Sequence, residues 1–144
     1  MQNFQTLLAE HDHLDELALT LVRIAERAEP DAAKALHARA AFSASLDDHL
    51  GRETAFLDGE LHEGKVPEFS DAVVKFHSDF NDLAADWGHY LRLWDLAAAD
   101  ADWPRFCGET TAIMARLRTR INEENNLLYP LALRYSRIRL RMPA

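Results

Sequence analysis

A histidine interrupts the apolar stripe of the first predicted helical segment. His11 follows Leu7 by four residues and precedes Leu14 by three, so all three side chains share one helix face. Burying a polar group without a partner is costly, so a histidine at such a position is either a hydrogen-bonded core residue or a ligand. For one histidine considered alone, the core interpretation is favoured.

The same interruption recurs in the later apolar stripes. His49 and Glu53 continue the stripe of Leu46, and their spacing of four residues places both side chains on one face, a turn apart. His77 and Glu124 interrupt two further stripes. Imidazole nitrogens and carboxylate oxygens that converge from several helices are suitable ligands for iron, manganese or zinc. The convergence therefore favours a metal site over separate core residues.

Four helices are needed to bring these side chains together. Apolar positions at spacings of three and four residues predict helices over residues 4–27, from residue 31 to about residue 58, over 71–98, and from about 102 to 131. Residues 59–70 contain two glycines and a proline and are predicted to form the longest loop, and residues 100–104 a short break. Pro130 predicts a local kink or helix end. We expect an all-α, antiparallel up-down-up-down four-helix bundle that forms a single domain over residues 1–144.

Charge and composition exclude several classes of function. A net charge of -8 disfavours binding to nucleic acid or to an anionic membrane surface, and no segment has the length and apolarity of a membrane span. The single cysteine, Cys107, excludes an internal disulfide, and the N-terminal residues lack the pattern of a secretory signal, so we expect a soluble, cytoplasmic protein. The sequence contains neither a glycine-rich phosphate loop nor a nucleophile elbow, and it shows neither the open coordination position nor the substrate pocket that an oxidoreductase would need, so no enzymatic activity is predicted.

Four segments of the chain resemble the successive motifs of the hemerythrin-like HHE domains. They are LAEH at 8–11, HLGRE at 49–53, FH at 76–77 and RINEENNLLYP at 120–130, so the resemblance spans nearly the whole chain. In that family the motifs hold a di-iron centre that binds or senses oxygen. The resemblance implies that His11, His49 and His77 are terminal ligands and that Glu53 and Glu124 are bridging carboxylates.

Two positions depart from the family pattern. Arg120 lies where the last helix should carry a histidine, and a guanidinium has no lone pair to offer a metal. Asn81 lies where the third helix often carries a second histidine. Arg120 either pairs with Glu124 or Glu53 and replaces the charge of a second cation, or extends to the bundle surface and pairs with nothing inside. The loss of two nitrogen ligands predicts a mononuclear site, or no metal in the resting protein.

Two functional hypotheses follow from these observations. The first is a metal-binding domain that holds iron, mononuclear or dinuclear, or another divalent metal, with dioxygen as a second ligand and a role in iron or oxygen sensing or redox protection. The second is a metal-free bundle that has kept only the fold and acts through protein contacts, as a homodimer or with another partner. Stoichiometric metal bound through His11, His49 and His77 would distinguish the first hypothesis from the second.

Overall fold

Helices make up the regular secondary structure of the residues that the structure describes. A computed structural model describes residues 4–64 and 67–130; the side chains of residues 4, 57–64, 67–70, 72, 73, 77 and 128 lie outside this description. The helices are α1 (Phe4–Ala25), α2 (Ala32–Gly64), α3 (Pro67–Leu93), α4 (Leu96–Ala101) and α5 (Trp103–Glu123). A π-helical segment, Glu124–Leu128, continues α5 and is called the π turn below.

Contacts between side chains that are distant in sequence give the directions of the four long helices. The indole of Trp103, at the start of α5, donates to the carbonyl of Arg27, just after α1, whereas Arg118, near the end of α5, pairs with Asp15 in the middle of α1. Helices α1 and α5 are therefore antiparallel. The same reversed order relates α1 to α2, α2 to α3 and α3 to α5. The contacts between α1 and α2 are His11 with His49 and Glu10 with Arg52. Those that relate α2 to α3 are Arg39 with Trp94, just after α3, and Phe42 with Trp87, and those between α3 and α5 are Tyr90 with Thr110 and Asp86 with Arg116. The predicted up-down-up-down bundle is confirmed.

Three predicted helix boundaries are wrong: the end of the second helix and both ends of the third. The loop expected at residues 59–70 is largely helical, because α2 continues to Gly64 and α3 begins at Pro67. A glycine inside a helix costs only about 1 kcal/mol, and a proline is tolerated in the first turn, so neither residue type had to end a helix here. The helix expected at 71–98 is divided, because α3 ends at Leu93 and the Asp95 carboxylate begins α4 by accepting from the Ala98 amide at 2.8 Å.

The two ends of α5 follow the sequence prediction more closely. Asp102 is the N-cap, its carboxylate accepts from the Arg105 amide, and Pro104 lies in the first turn. At the other end, the π turn directly precedes Tyr129 and Pro130. A proline cannot donate to the carbonyl four residues earlier and its ring crowds that carbonyl, so a wider turn before Pro130 accommodates it. The predicted kink or helix end at Pro130 stays a prediction, because the residues after Pro130, including Leu131, the predicted last residue of this helix, lie outside the described residues.

The core of the bundle is divided along its length into an aromatic end and a polar end. At the aromatic end, Trp87 packs edge-on against Phe42 with 5.7 Å between ring centroids, and Trp94 packs against Phe106 at 5.6 Å. The predicted inward positions of Trp87 and Trp94 are confirmed. No helix in the described part of the chain combines the length and apolarity needed to cross a membrane. The polar end contains the buried histidines and glutamates described next.

Candidate metal centre

Two histidines face each other where α1 packs against α2. His11 and His49 are 2% and 1% exposed, and their Nε2 atoms lie 3.0 Å apart. Each ring points into the bundle because its histidine shares a helix face with buried leucines, Leu7 and Leu14 on α1 and Leu46 on α2, as the helical spacing predicts. Two imidazoles thus direct the same nitrogen toward one point in the core.

Two carboxylates complete the cluster from α2 and from the end of α5. Glu53 Oε2 lies 3.2 Å from His49 Nε2, and Glu124 Oε1 lies 2.9 Å from His11 Nε2 and 3.3 Å from His49 Nε2. Both glutamates are 2% exposed, and one donor atom from each of the four residues lies within 4.8 Å of every other. Four of the five residues that sequence reasoning selected are therefore brought together.

The separations within this cluster match the edges of a coordination polyhedron. With metal–nitrogen and metal–oxygen bonds of about 2.1 Å, neighbouring ligand atoms are about 3.0 Å apart in an octahedral site and about 3.4 Å apart in a tetrahedral one. The four contacts among His11, His49, Glu53 and Glu124 range from 2.9 to 3.3 Å. Two neutral nitrogens and two anionic oxygens suit iron, manganese or zinc. The residues present therefore fit a metal ion.

The outward nitrogens of both histidines are held by oxygen acceptors. His49 Nδ1 lies 3.0 Å from Glu10 Oε1, and His11 Nδ1 lies 2.7 Å from Asn125 Oδ1. Glu10 also forms an ion pair with Arg52. A carboxylate or carbonyl oxygen only accepts, so each Nδ1 carries a hydrogen, which leaves Nε2 as the ring atom that could bind a metal. Outer partners of this kind fix the tautomer and orientation of metal-binding histidines.

The electrostatics of the metal-free cluster are dominated by burial and by the two glutamates. Burial alone would lower the pKa of His49, but hydrogen bonds with Glu124, Glu53 and Glu10 raise it to about 10. Burial and the neighbouring Glu124 raise the pKa of Glu53 to about 7. Burial would also raise the pKa of Glu124, but hydrogen bonds from Glu53, His11 and His49 hold it well below its usual range. Without a metal, the cluster therefore holds a proton on His49 at neutral pH.

Arg120 is buried beside the cluster and does not reach the surface. It is 7% exposed, its Nε lies 3.4 Å from Glu124 Oε2, and its Nη1 donates to the carbonyl of Phe76 at 2.7 Å. Its guanidinium carbon lies 3.3 Å from the ring centroid of Phe76 and 4.7 Å from that of Phe80. The hypothesis of a solvent-directed Arg120 is wrong, and the pairing with Glu124 is present through a single nitrogen rather than a bidentate fork.

Tyr129 contributes a fifth polar group that sequence reasoning missed. Its hydroxyl lies 2.8 Å from Glu53 Oε2, 3.1 Å from His11 Nε2 and 3.3 Å from Glu124 Oε1, and the residue is fully buried. In a regular α-helix a residue five positions after Glu124 points about 140° away from it. The π turn changes this relation, because the Tyr129 amide donates to the Glu124 carbonyl five residues earlier. Periodicity alone could not find Tyr129, and Pro130 was the available signal.

The remaining sequence candidates do not enlarge the cluster. The side chain of His77 lies outside the described residues, so its predicted role as a ligand stays a prediction. Asn81 is exposed on α3, as are His13, His37 and His89 on their helices. Among the side chains that the structure describes, one group of histidine, cysteine or acidic residues has metal-binding geometry, the group formed by His11, His49, Glu53 and Glu124.

Comparison with known proteins agrees with this site. Neither a curated protein nor a solved structure matches the chain significantly. The sequence model of the hemerythrin HHE cation-binding domain matches residues 2–132, a span that contains every residue of the cluster. The chain therefore belongs to the hemerythrin HHE cation-binding domain family.

Proposed function

We propose that this domain binds one transition-metal ion, iron being the first candidate, through His11, His49, Glu53 and Glu124. The observation that carries the proposal is the pair of buried Nε2 atoms 3.0 Å apart. Because each Nδ1 is bound by an outer oxygen acceptor, two lone pairs would oppose each other if both rings were neutral. A shared cation removes that conflict, and two carboxylates balance the charge of a divalent ion.

Arg120 supports a mononuclear site. Its guanidinium lies against Glu124 Oε2, on the far side of the carboxylate from the oxygen that contacts the histidines. A bridging carboxylate would need this second oxygen for the other metal. We propose that the fixed positive charge of Arg120 replaces that ion, because arginine remains protonated even though burial lowers its pKa.

The expected consequence of binding is a metal-dependent gain in stability. The four proposed ligands come from α1, α2 and the end of α5, so one ion would connect three helices. When bound, iron supplies the Lewis acidity and one-electron chemistry that dioxygen binding, sensing or redox protection requires. A ligand present at one hundred times its Kd stabilises the folded state by about 2.7 kcal/mol. We propose that the domain reports metal availability through this stabilisation.

Anaerobic titration of the metal-free chain with Fe(II) tests the proposal. Wild type should bind one equivalent and unfold about 5 to 10 °C higher when loaded, from the usual ratio of stability to melting temperature. His49→Gln should lose both effects. His89→Gln should retain both, because His89 is an exposed histidine outside the cluster. Binding that is equally strong in His49→Gln would refute the assignment.

The metal-free alternative also has support in the structure. Among the described residues, Trp94 Nε1 is the one buried side-chain nitrogen or oxygen without a hydrogen-bond partner, so the polar cluster can satisfy itself without an ion. Protonated His49 and Arg120 would then balance the carboxylates. The same titration separates the two functions, since a structural network of this kind predicts no saturable binding and no metal-dependent melting temperature.

A further inference from the structure

The hydroxyl of Tyr129 occupies a ligand position in the cluster. It makes contacts of 2.8 to 3.3 Å with Glu53, His11 and Glu124, close to the 2.9 to 3.3 Å of the contacts among the four proposed ligands. We propose that the phenol oxygen of Tyr129 is a fifth ligand and that it biases the site toward a trivalent ion such as Fe(III). This inference rests on the proposed metal-binding function and deepens it.

The ring of Tyr129 is held so that its oxygen stays in this position. It stacks on the His11 imidazole with 5.3 Å between centroids and an interplanar angle of 17°. The Phe56 ring meets it edge-on at 6.5 Å. Since a tyrosine ring has two rotatable side-chain bonds, packing on both sides fixes the direction of its hydroxyl. A preorganised donor costs little entropy when a metal binds.

The backbone is also shaped for this placement. The π turn begins at Glu124 and ends just before Tyr129, so a proposed ligand and the phenol follow each other on adjacent turns. Single π turns inside helices are rare overall, and those that do occur are often found at functional sites. Without this turn the Tyr129 ring would leave the polar end of the core, because a regular helix separates the two positions by about 140°. The helix irregularity therefore brings Tyr129 into the cluster.

Charge distinguishes five ligands from four. The four proposed ligands supply two negative charges, and a Tyr129 phenolate would supply a third, while Arg120 contributes the same positive charge in both cases. The third negative charge favours a trivalent ion over a divalent one. When the phenol oxygen bonds to the added Fe(III), its O–H bond breaks and the proton passes to the solvent, so no electron transfer is required. Hard anionic oxygens are preferred by small, highly charged cations. Tyr129 should therefore strengthen Fe(III) binding more than Zn(II) binding.

Spectroscopy of the full metal-free chain loaded with Fe(III) nitrilotriacetate tests the inference. A phenolate ligand should give a visible charge-transfer band, and excitation in that band should enhance tyrosine ring modes in resonance Raman spectra. Tyr129→Phe should lose the band and bind Fe(III) at least about tenfold more weakly, a factor equivalent to 1.4 kcal/mol, with Zn(II) affinity changed much less. Tyr90→Phe is the matched control and should keep the band, because Tyr90 is buried at the aromatic end and bonds to Thr110.

The outcomes separate this inference from the function on which it rests. If wild type binds one Fe(III) without phenolate modes, Tyr129 is not a ligand and the four-residue site stands. If wild type binds neither Fe(III), Fe(II) nor Zn(II), both proposals fail. If Tyr129→Phe does not fold, wild type containing ring-deuterated tyrosine decides, together with Tyr90→Phe and Tyr135→Phe. Resonance Raman modes that shift on deuteration and persist in Tyr90→Phe and Tyr135→Phe support Tyr129 as the ligand. Loss of these modes in either variant would assign the phenolate to another tyrosine and overturn the proposal.

Discussion

Replacing Arg120 by methionine should destabilise the metal-free protein by about 3 kcal/mol. The variant loses the charge-assisted hydrogen bond to the Phe76 carbonyl at 2.7 Å, a contact of a class worth about 1.5 to 3 kcal/mol. It also loses the cation–π contact with the Phe76 ring, worth about 1 kcal/mol, and leaves Glu124 without its guanidinium. Because Glu124 keeps His11 and His49 as partners, the cost stays below the upper range for breaking a buried ion pair, about 5 kcal/mol.

Urea unfolding of metal-free wild type and Arg120→Met gives this difference directly. Arg118→Met is the matched control: Arg118 lies two residues earlier on α5 and also pairs with an acidic residue, Asp15, but its side chain is 40% exposed. An exposed pair of this kind contributes at most about 1 kcal/mol. Equal destabilisation by the two substitutions would refute the idea that Arg120 compensates buried negative charge.

Two further predictions concern the outer partner of His49 and the proton it holds. Glu10→Ala should weaken metal binding about 10- to 100-fold in a competition assay, because it removes the hydrogen-bond partner of His49 Nδ1. The control is Glu109→Ala, which removes an exposed ion pair with Arg105 and should leave the metal affinity unchanged. In the metal-free protein the charged form of His49 stabilises the fold below pH 6.5, and that contribution is lost as the pH rises through about 10. Because a bound metal would displace this proton, the affinity of the chain for the metal ion should rise about tenfold per pH unit between pH 7 and 9. A metal affinity that does not change with pH in this interval would contradict the assignment of the proton to His49.

The helix period made most of the bundle and part of the site predictable. His11, His49, Glu53 and Glu124 are buried where their spacing from leucines of the same helices placed them. Each of these inferences used one helix at a time and a regular turn of 3.6 residues. The convergence of the four residues followed from the antiparallel order of the helices.

The features that escaped prediction depend on departures from that regularity or on contacts between helices. Tyr129 enters the cluster because the π turn changes its angular relation to Glu124, which a regular period of 3.6 residues does not reproduce. Glu10 and Asn125 lie at partly buried positions, and their bonds to the outward histidine nitrogens depend on how α2 and α5 pack against α1. The α2 to α3 boundary was misplaced because Gly64 and Pro67 are compatible with helix ends as well as with a loop.

The number of metal ions bound by the full chain, purified without chelator from cells grown with added iron, decides whether the cluster is a mononuclear metal centre. We expect at most one equivalent per chain in wild type, rising to one on reconstitution with Fe(II), and a second equivalent in Arg120→His if the guanidinium alone replaces the other ion. Elemental analysis with quantitative amino-acid analysis gives both ratios. Two equivalents in wild type would contradict the role assigned to Arg120, and no bound metal after reconstitution would contradict the metal centre itself.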